Sequence, residues 1–156
     1  MLNNPSNAGI VITDTSCFIL LDKLEAFWIL HKLFSSVITT PEIAHEFGNG
    51  LPEWITIEQC SPAVKTQFQT FVDEGEASAI ALASEIKCDY IVLDDMSARK
   101  FAQKLGLNVI GTIGILLMAK QQNAIPALKP YLHAIQQTNF RLSPALIDQF
   151  LKKAGE

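Results

Sequence analysis

The chain has 156 residues, of which 49% are hydrophobic and 18% are charged, and its net charge is −4. This length predicts a single domain over residues 1–156 with a substantial buried core. The first nine residues are polar and carry no basic group, so no secretion signal is predicted, and the apolar runs are too short to span a bilayer.

Short apolar runs alternate with helical patterns along the chain. After a disordered lead-in over residues 1–8, strands are predicted at 10–13, 37–39, 54–57, 90–93 and 107–110. A first helical stretch is predicted from Cys17 to Phe34, with a break near Lys23–Leu24, and an amphipathic helix is predicted from Glu76 onward. The other predicted helices run from Pro41 to Gly48 and over 63–72, 97–106, 115–122, 126–137 and 144–153. Turns are expected at 73–75 and 111–114. The alternation predicts an α/β fold, a three-layer α/β/α sandwich with a mainly parallel central sheet.

Acidic residues stand where these elements end. Asp14 follows the first strand, and the pair Asp94 and Asp95 follows the fourth. Glu46 lies on the helix after the second strand, and Glu76 lies on the helix that returns to the fourth. Because ligands of open α/β sheets bind outside the carboxyl ends of the strands, we expect these acids to gather at one edge.

Gathered carboxylates repel one another unless a cation neutralises them. Oxygen ligands without histidine or cysteine suit Mg²⁺ or Mn²⁺, and such an ion supports phosphodiester hydrolysis. Each acid also has a purely structural explanation. Asp14 and Asp95 could be helix N-caps, and Glu76 could complement the dipole of its helix. Glu46 could be a solvated surface residue, and Glu42, one turn earlier on the same face, could take its place.

Charge is spread unevenly between two parts of the chain. Residues 1–98 contain 14 acidic and 4 basic side chains, whereas residues 99–156 contain 2 acidic and 8 basic ones. This asymmetry suits an acidic metal site beside a basic surface that attracts a polyanion. A chance distribution over solvated faces explains it equally well.

The three cysteines, Cys17, Cys60 and Cys88, form no Cys-x-x-Cys motif. Their odd number and apolar surroundings predict buried free thiols in a reducing cytoplasm. The low charged fraction also predicts that part of the surface is covered by a partner or by a second copy of the chain.

Three stretches resemble the PIN domain family, and most closely its DUF3368-type subgroup of bacteria and archaea. They are IVITDTSCFILLDKL from residue 10, TTPEIAHEFG from residue 39, and DEGEASAIALASEIKCDYIVLDDMSARKFAQKLGLNVIGTIGILLMAK from residue 73. The resemblance implies a PIN fold with Mg²⁺ or Mn²⁺ held by acids at the sheet edge. It also implies single-strand ribonuclease activity and, from many relatives, a toxin of a toxin–antitoxin pair that forms a homodimer.

The resemblance further implies roles for particular residues. The four catalytic metal ligands are Asp14, Glu46, Glu76 and Asp95, and Asp94 either binds a metal or orients a metal-bound water. Ser16 and Thr112 are hydroxyls near the site, whereas the sequence departs from the family pattern at Leu93 and Ser97, where a hydroxyl residue and an aromatic residue are common. Arg99, Lys100 and Lys104 are predicted to contact the RNA backbone, although Arg99 could equally form a structural salt bridge with Asp95.

Two other functions compete with this prediction. One is a non-catalytic PIN-like scaffold that binds RNA or an antitoxin protein. The other is a receiver-like signalling domain, which also gathers acids at a sheet edge. A receiver needs a lysine after a late strand, and residues 109–112 are Val-Ile-Gly-Thr instead.

Overall fold

The computed structural model describes residues 9–156, so the predicted lead-in lies outside the described residues. Within this range five parallel strands form one sheet in the order β3-β2-β1-β4-β5. The strands are β1 (Ile10–Thr13), β2 (Ser36–Thr39), β3 (Ile55–Ile57), β4 (Tyr90–Val92) and β5 (Val109–Ile110). All five predicted strands are therefore confirmed, and the sheet is entirely parallel.

Helices connect these strands and cover the sheet, which confirms the predicted three-layer α/β/α architecture. They are α1 (Thr15–Lys23), α2 (Phe27–Leu33), α3 (Pro41–Phe47), α4 (Pro62–Phe68), α5 (Glu74–Glu85), α6 (Met96–Lys104), α7 (Thr112–Gln121), α8 (Lys129–Gln136) and α9 (Pro144–Lys153). The predicted break between the first two helices occurs at residues 24–26, where Glu25 has a positive φ of 52°. No helix in the described part of the chain is long and apolar enough to cross a bilayer.

The strand order places a topological switch between β1 and β4. From β1 the chain adds β2 and β3 on one side of the sheet, and it then returns to add β4 and β5 on the other side. At such a point the connections on either side of two adjacent strands diverge and leave a crevice at the carboxyl ends. Asp14 directly follows β1 at this edge, and Asp94 lies two residues beyond the end of β4.

The central strands are apolar because helices cover both of their faces. Val11 and Ile12 of β1 and Ile91 and Val92 of β4 are fully buried. Helix α5 is buried over residues 77–83, since it contacts β1 and β4 as well as the neighbouring helices α3 and α4. The prediction that α5 is amphipathic is therefore wrong: its alanines allow close packing on almost every side.

Helices α5 and α7 include residues that were predicted to form turns. Residues 74–75 belong to α5 and do not form a turn, because the Asp73 carboxylate caps the helix by accepting a hydrogen bond from the Glu76 N–H (2.9 Å). Helix α7 begins at Thr112, and Gly114 lies inside it. A methyl group on Gly114 would lie 2.7 Å from Ile110 Cγ1, so this glycine serves close packing and not a turn.

Candidate active site

Asp14 joins the ends of the two central strands. It caps α1 by accepting a hydrogen bond from the Cys17 N–H (2.9 Å), and its other oxygen accepts one from the Asp94 N–H (3.3 Å). The residue is only 3% exposed. Burial, followed by the negative charge of Asp94, raises the pKa of Asp14 well above its ordinary value, although both backbone N–H groups oppose this rise.

Asp94 joins β4 to the start of α7. Its carboxylate accepts hydrogen bonds from the Thr112 N–H (2.8 Å) and the Thr112 hydroxyl (2.6 Å). Burial raises the pKa of Asp94, while the bonds from Thr112 and the charge of Arg99 act in the opposite direction. The structure thus brings Thr112 against an acid at the sheet edge, in keeping with the predicted nearby hydroxyl.

Gly111 leaves the space in which Asp94 and Arg99 approach each other. A methyl group on this residue would lie 2.8 Å from Arg99 Nη1 and 3.2 Å from Asp94 Oδ1. The first distance is too short for a carbon atom and the second is tighter than an ordinary contact, so a larger residue would push the end of the Arg99 side chain aside.

Glu76 lies in the first turn of α5 and is partly buried. Burial raises its pKa to about 7, and the charge of Asp73, a hydrogen bond shared with the Asp73 side chain and the charge of Asp95 add to the effect. The charge of Glu76 in turn raises the pKa of Asp14. These acids therefore share one electrostatic environment, and Asp73 is a member that the sequence prediction missed. An acidic residue followed three positions later by glutamate is a capping-box pattern, and this signal could have identified Asp73.

Glu46 and Asp95 lie at the outer side of this group, and both are exposed. Asp95 caps α6 by accepting a hydrogen bond from the Ala98 N–H (3.0 Å). The Glu46 carboxylate faces the start of α5, since a methyl group on Gly75 would lie 3.5 Å from its Oε2 atom. Glu46 is thus brought next to the helix turn that carries Glu76.

Glu42, the alternative to Glu46 in the sequence, is engaged in an ion pair with α4. Its carboxylate forms a salt bridge with Lys65 (3.1 Å), which also contacts Glu74 (3.3 Å). This arrangement ties α3 and α4 to the first turn of α5 and directs Glu42 toward α4.

The predicted basic residues and the remaining hydroxyl take different positions. Arg99 is partly buried and donates a hydrogen bond from Nη1 to the Leu93 carbonyl (2.9 Å). The alternative salt bridge between Arg99 and Asp95 does not occur within the described residues. Lys100, Lys104 and Ser16 are exposed, and Ser16 lies in the first turn of α1.

A cleft of about 730 Å³ opens beside Asp94 and Arg99. Strand β5, helix α7 and helix α9 line it, and Arg141 and Lys153 add positive charge. The sequence prediction missed these two basic residues, because they lie more than 40 positions beyond the acids and no local motif connects them to the sheet edge.

All three cysteines have free thiols, as predicted; Cys17 and Cys60 are buried, whereas Cys88 is only partly buried and differs from the prediction in this respect. Cys17 lies close to the acids, and burial and the charge of Asp14 raise its pKa well above its ordinary value. A thiol with a raised pKa is a poor nucleophile, so this residue contributes packing and its backbone N–H.

Comparison with known protein families matches residues 10–156 to the DUF3368 family, described as a PIN domain. The chain belongs to the PIN domain family. This confirms the resemblance drawn from residues 10–120 and extends it to the end of the chain. PIN domains have a nuclease fold and generally depend on divalent metal ions. A search of curated proteins finds no match to this PIN domain.

The side chains at the sheet edge of this PIN domain are of the chemical type that binds a hard divalent cation. All the side chains that meet at the sheet edge offer oxygen atoms, and burial together with neighbouring negative charge raises the pKa of Asp14 and Glu76. A cation would relieve that repulsion. Within residues 9–156, however, no three acidic, histidine or cysteine side chains stand close enough to hold a metal ion in this conformation.

Proposed function

We propose that this PIN domain is an endoribonuclease that depends on Mg²⁺ or Mn²⁺ and hydrolyses RNA phosphodiester bonds. The observation that supports it most is the burial of Asp14 at the switch between β1 and β4, where the Asp94 N–H reaches its carboxylate and the charges of Asp94 and Glu76 raise its pKa. A protein that used these residues only as helix caps would gain nothing from burying them against one another.

Each acid has a role in this proposal. Asp14, Glu76 and Asp95 would hold the ion, and Glu46, which faces the start of α5, would contribute to this site or to a second ion. Asp94, whose orientation Thr112 sets, lies beside them as a further ligand or as an acceptor for a water molecule. A bound divalent ion supplies charge neutralisation at the phosphate and an activated water for hydrolysis.

The basic residues act on the substrate in this proposal. Lys100 and Lys104 lie exposed on α6, the helix that Asp95 caps, and they neutralise phosphates that the acids would otherwise repel. Arg99 is oriented by its bond to the Leu93 carbonyl and holds its charge next to Asp94, at the entrance of the cleft.

The decisive experiment compares Asp14→Asn with the wild-type protein on a mixed pool of single-stranded RNA with Mn²⁺. Loss of activity should exceed the roughly 10- to 100-fold typical of changes outside the ligand shell. Asp148→Asn, on the exposed surface of α9, is the matched control and should retain full activity. Wild-type cleavage by Asp14→Asn would refute the assignment.

A non-catalytic scaffold is the competing function. The carboxylates of Asp14 and Asp94 accept hydrogen bonds from backbone N–H groups, and this structural use of both acids favours a scaffold. Calorimetric titration with Mn²⁺ separates the two possibilities. No Mn²⁺ binding, together with no cleavage of the RNA pool, would identify a scaffold for RNA or for an antitoxin protein.

We further propose that the protein is the cytoplasmic toxin of a toxin–antitoxin pair and that it forms a homodimer. The low charged fraction and the exposed apolar side chains of Ile19 and Trp28 on α1 and α2 support a covered surface. Analytical ultracentrifugation tests the dimer. A small reading frame next to the coding sequence, whose product suppresses the activity, would support the pair.

A further inference from the structure

An exposed aromatic surface lies between α4 and α6. We call Phe68, Phe71 and Phe101 the aromatic platform. The rings of Phe71 and Phe101 stack with centroids 5.0 Å apart and an angle of 21°, and Phe68 meets Phe101 edge-on at 5.0 Å. Phe71 is nevertheless 64% exposed, so one face of its ring remains open to solvent. Core packing accounts for Phe68 and Phe101 but not for a large ring that stays exposed.

The aromatic platform lies close to the proposed catalytic acids. Phe71 precedes Asp73 by two residues, and Asp73 shares a hydrogen bond with Glu76. Phe101 belongs to α6, the helix that Asp95 caps, and lies about 9 Å along its axis at 1.5 Å per residue. The stacked rings thus connect the segment before Glu76 with helix α6, which follows Asp95.

Positive charge borders the aromatic platform. Lys100 and Lys104 are four residues apart and share one face of α6, and Lys104 neighbours Phe101 at a spacing of three. Both lysines are exposed, and neither forms a salt bridge within residues 9–156. An open ring face beside two unpaired cations is the combination that binds single-stranded nucleic acid, because the ring stacks on a base while the cations hold its phosphates.

We propose that the aromatic platform is a base-stacking site for single-stranded RNA, with Lys100 and Lys104 holding adjacent phosphates so that the strand reaches the acids. This inference rests on the proposed ribonuclease function and adds to it a site at which the substrate is bound. A duplex buries its base faces in its own stack, so the site selects unpaired strands. The neighbouring lysines favour this polyanion over an apolar protein partner, which would gain little from two unneutralised cations.

Binding is measured without cleavage, by fluorescence anisotropy of a labelled oligouridine of about 12 nucleotides in EDTA. Phe71→Ala should weaken binding about 10-fold, whereas Phe71→Trp should preserve it and its fluorescence should fall on binding. Since Phe71 is mostly exposed, both variants should unfold at nearly the wild-type temperature. A duplex of the same length should bind more weakly than the single strand and should not respond to Phe71→Ala.

Two controls define where the strand lies. Ile57→Ala removes an exposed apolar side chain (51%) on β3, and Leu146→Ala removes an exposed side chain (37%) from the cleft beside Arg99. Neither should change the affinity. Unchanged affinity in Phe71→Ala, or a loss confined to Leu146→Ala, would overturn the proposal. So would a Phe71→Ala variant that changes the oligomeric state and not RNA binding, since the aromatic platform would then be a protein interface.

Failure of the stacking site and failure of the ribonuclease proposal give different results. If the protein cleaves RNA with Mn²⁺ but Phe71→Ala binds normally, only the stacking site is wrong. If Phe71→Ala loses affinity but the wild-type protein never cleaves, the stacking site stands and the catalytic proposal is wrong.

Discussion

The raised pKa of Glu76 makes a testable link between the candidate site and the stability of the protein. In the folded protein the pKa of this carboxyl is about 7, against an ordinary value of 4.5. Between these two pH values the folded protein binds more protons than the unfolded chain. The free energy of unfolding of the metal-free protein should therefore fall as the pH rises from 4.5 to 7, and Glu76 should cost stability above pH 7.

The size of this cost follows from the shift. At about 1.4 kcal/mol per pKa unit the full difference corresponds to roughly 3 kcal/mol, and solvent screening of a partly buried group reduces it to about 1–2 kcal/mol. Glu76→Gln removes the charge but keeps a side chain that can donate a hydrogen bond to Asp73. At pH 8 this variant should unfold about 2–8 °C above the wild-type protein, and at pH 4.5 the two should coincide.

Thermal unfolding followed by circular dichroism in EDTA at pH 4.5, 6 and 8 measures this difference. Mn²⁺ at about 100 times its dissociation constant should stabilise the wild-type protein by about 2.7 kcal/mol and Glu76→Gln by much less, which reverses the order at pH 8. Glu53→Gln, an exposed residue in the loop before β3, is the matched control and should follow the wild-type protein throughout.

Two results would refute this reasoning. The first is a wild-type protein that is more stable than Glu76→Gln at pH 8 in EDTA, since the carboxylate would then be favourably placed without a cation. The second is a stability difference that does not change with pH, because a packing effect and not a charge would then separate the two proteins.

Three further variants test other contacts of the site. Gly111→Ala should lower RNA cleavage, because the added methyl group displaces the Arg99 guanidinium from beside Asp94, whereas the free energy of unfolding should change by less than about 1 kcal/mol, since a flexible side chain can move aside; an activity assay and urea unfolding measure the two effects. Thr112→Val should cost about 1–2 kcal/mol in the same unfolding assay at pH 8, since it removes the hydroxyl donor to a buried carboxylate, and an unchanged midpoint would contradict the 2.6 Å bond. In Lys100→Met the slope of log RNA affinity against log salt concentration should be smaller in magnitude by about 1, and the unfolding temperature should not change.

Local signals made most of the secondary structure predictable. Thr40 followed by Pro41, and Ser61 followed by Pro62, each pair a side-chain cap with a proline in the first turn, and both helices begin where these signals place them. Gly48, in a left-handed conformation with a φ of 77°, ends α3 as its residue type predicts.

Local signals were insufficient where neighbouring elements decided the outcome. Gly114 resembles a turn residue in the sequence, but it lies inside α7 because Ile110 packs against its bare Cα. Helix α5 was expected to expose one side, but α3, α4 and the sheet surround it. No local pattern records how many neighbours a helix has.

The sequence by itself determined the α/β class, the residues at the strand ends and the family, because each depends on short-range patterns and on motifs that lie within a few residues of one another. The tertiary structure alone decided which groups the acids contact. It directed Glu42 to Lys65, turned Glu46 toward Gly75, joined Asp14 to the backbone of Asp94, and brought Phe71 onto Phe101 beside the site. These pairings join residues that are separate along the chain, and only the strand order β3-β2-β1-β4-β5 and the packing of the connecting helices bring them together.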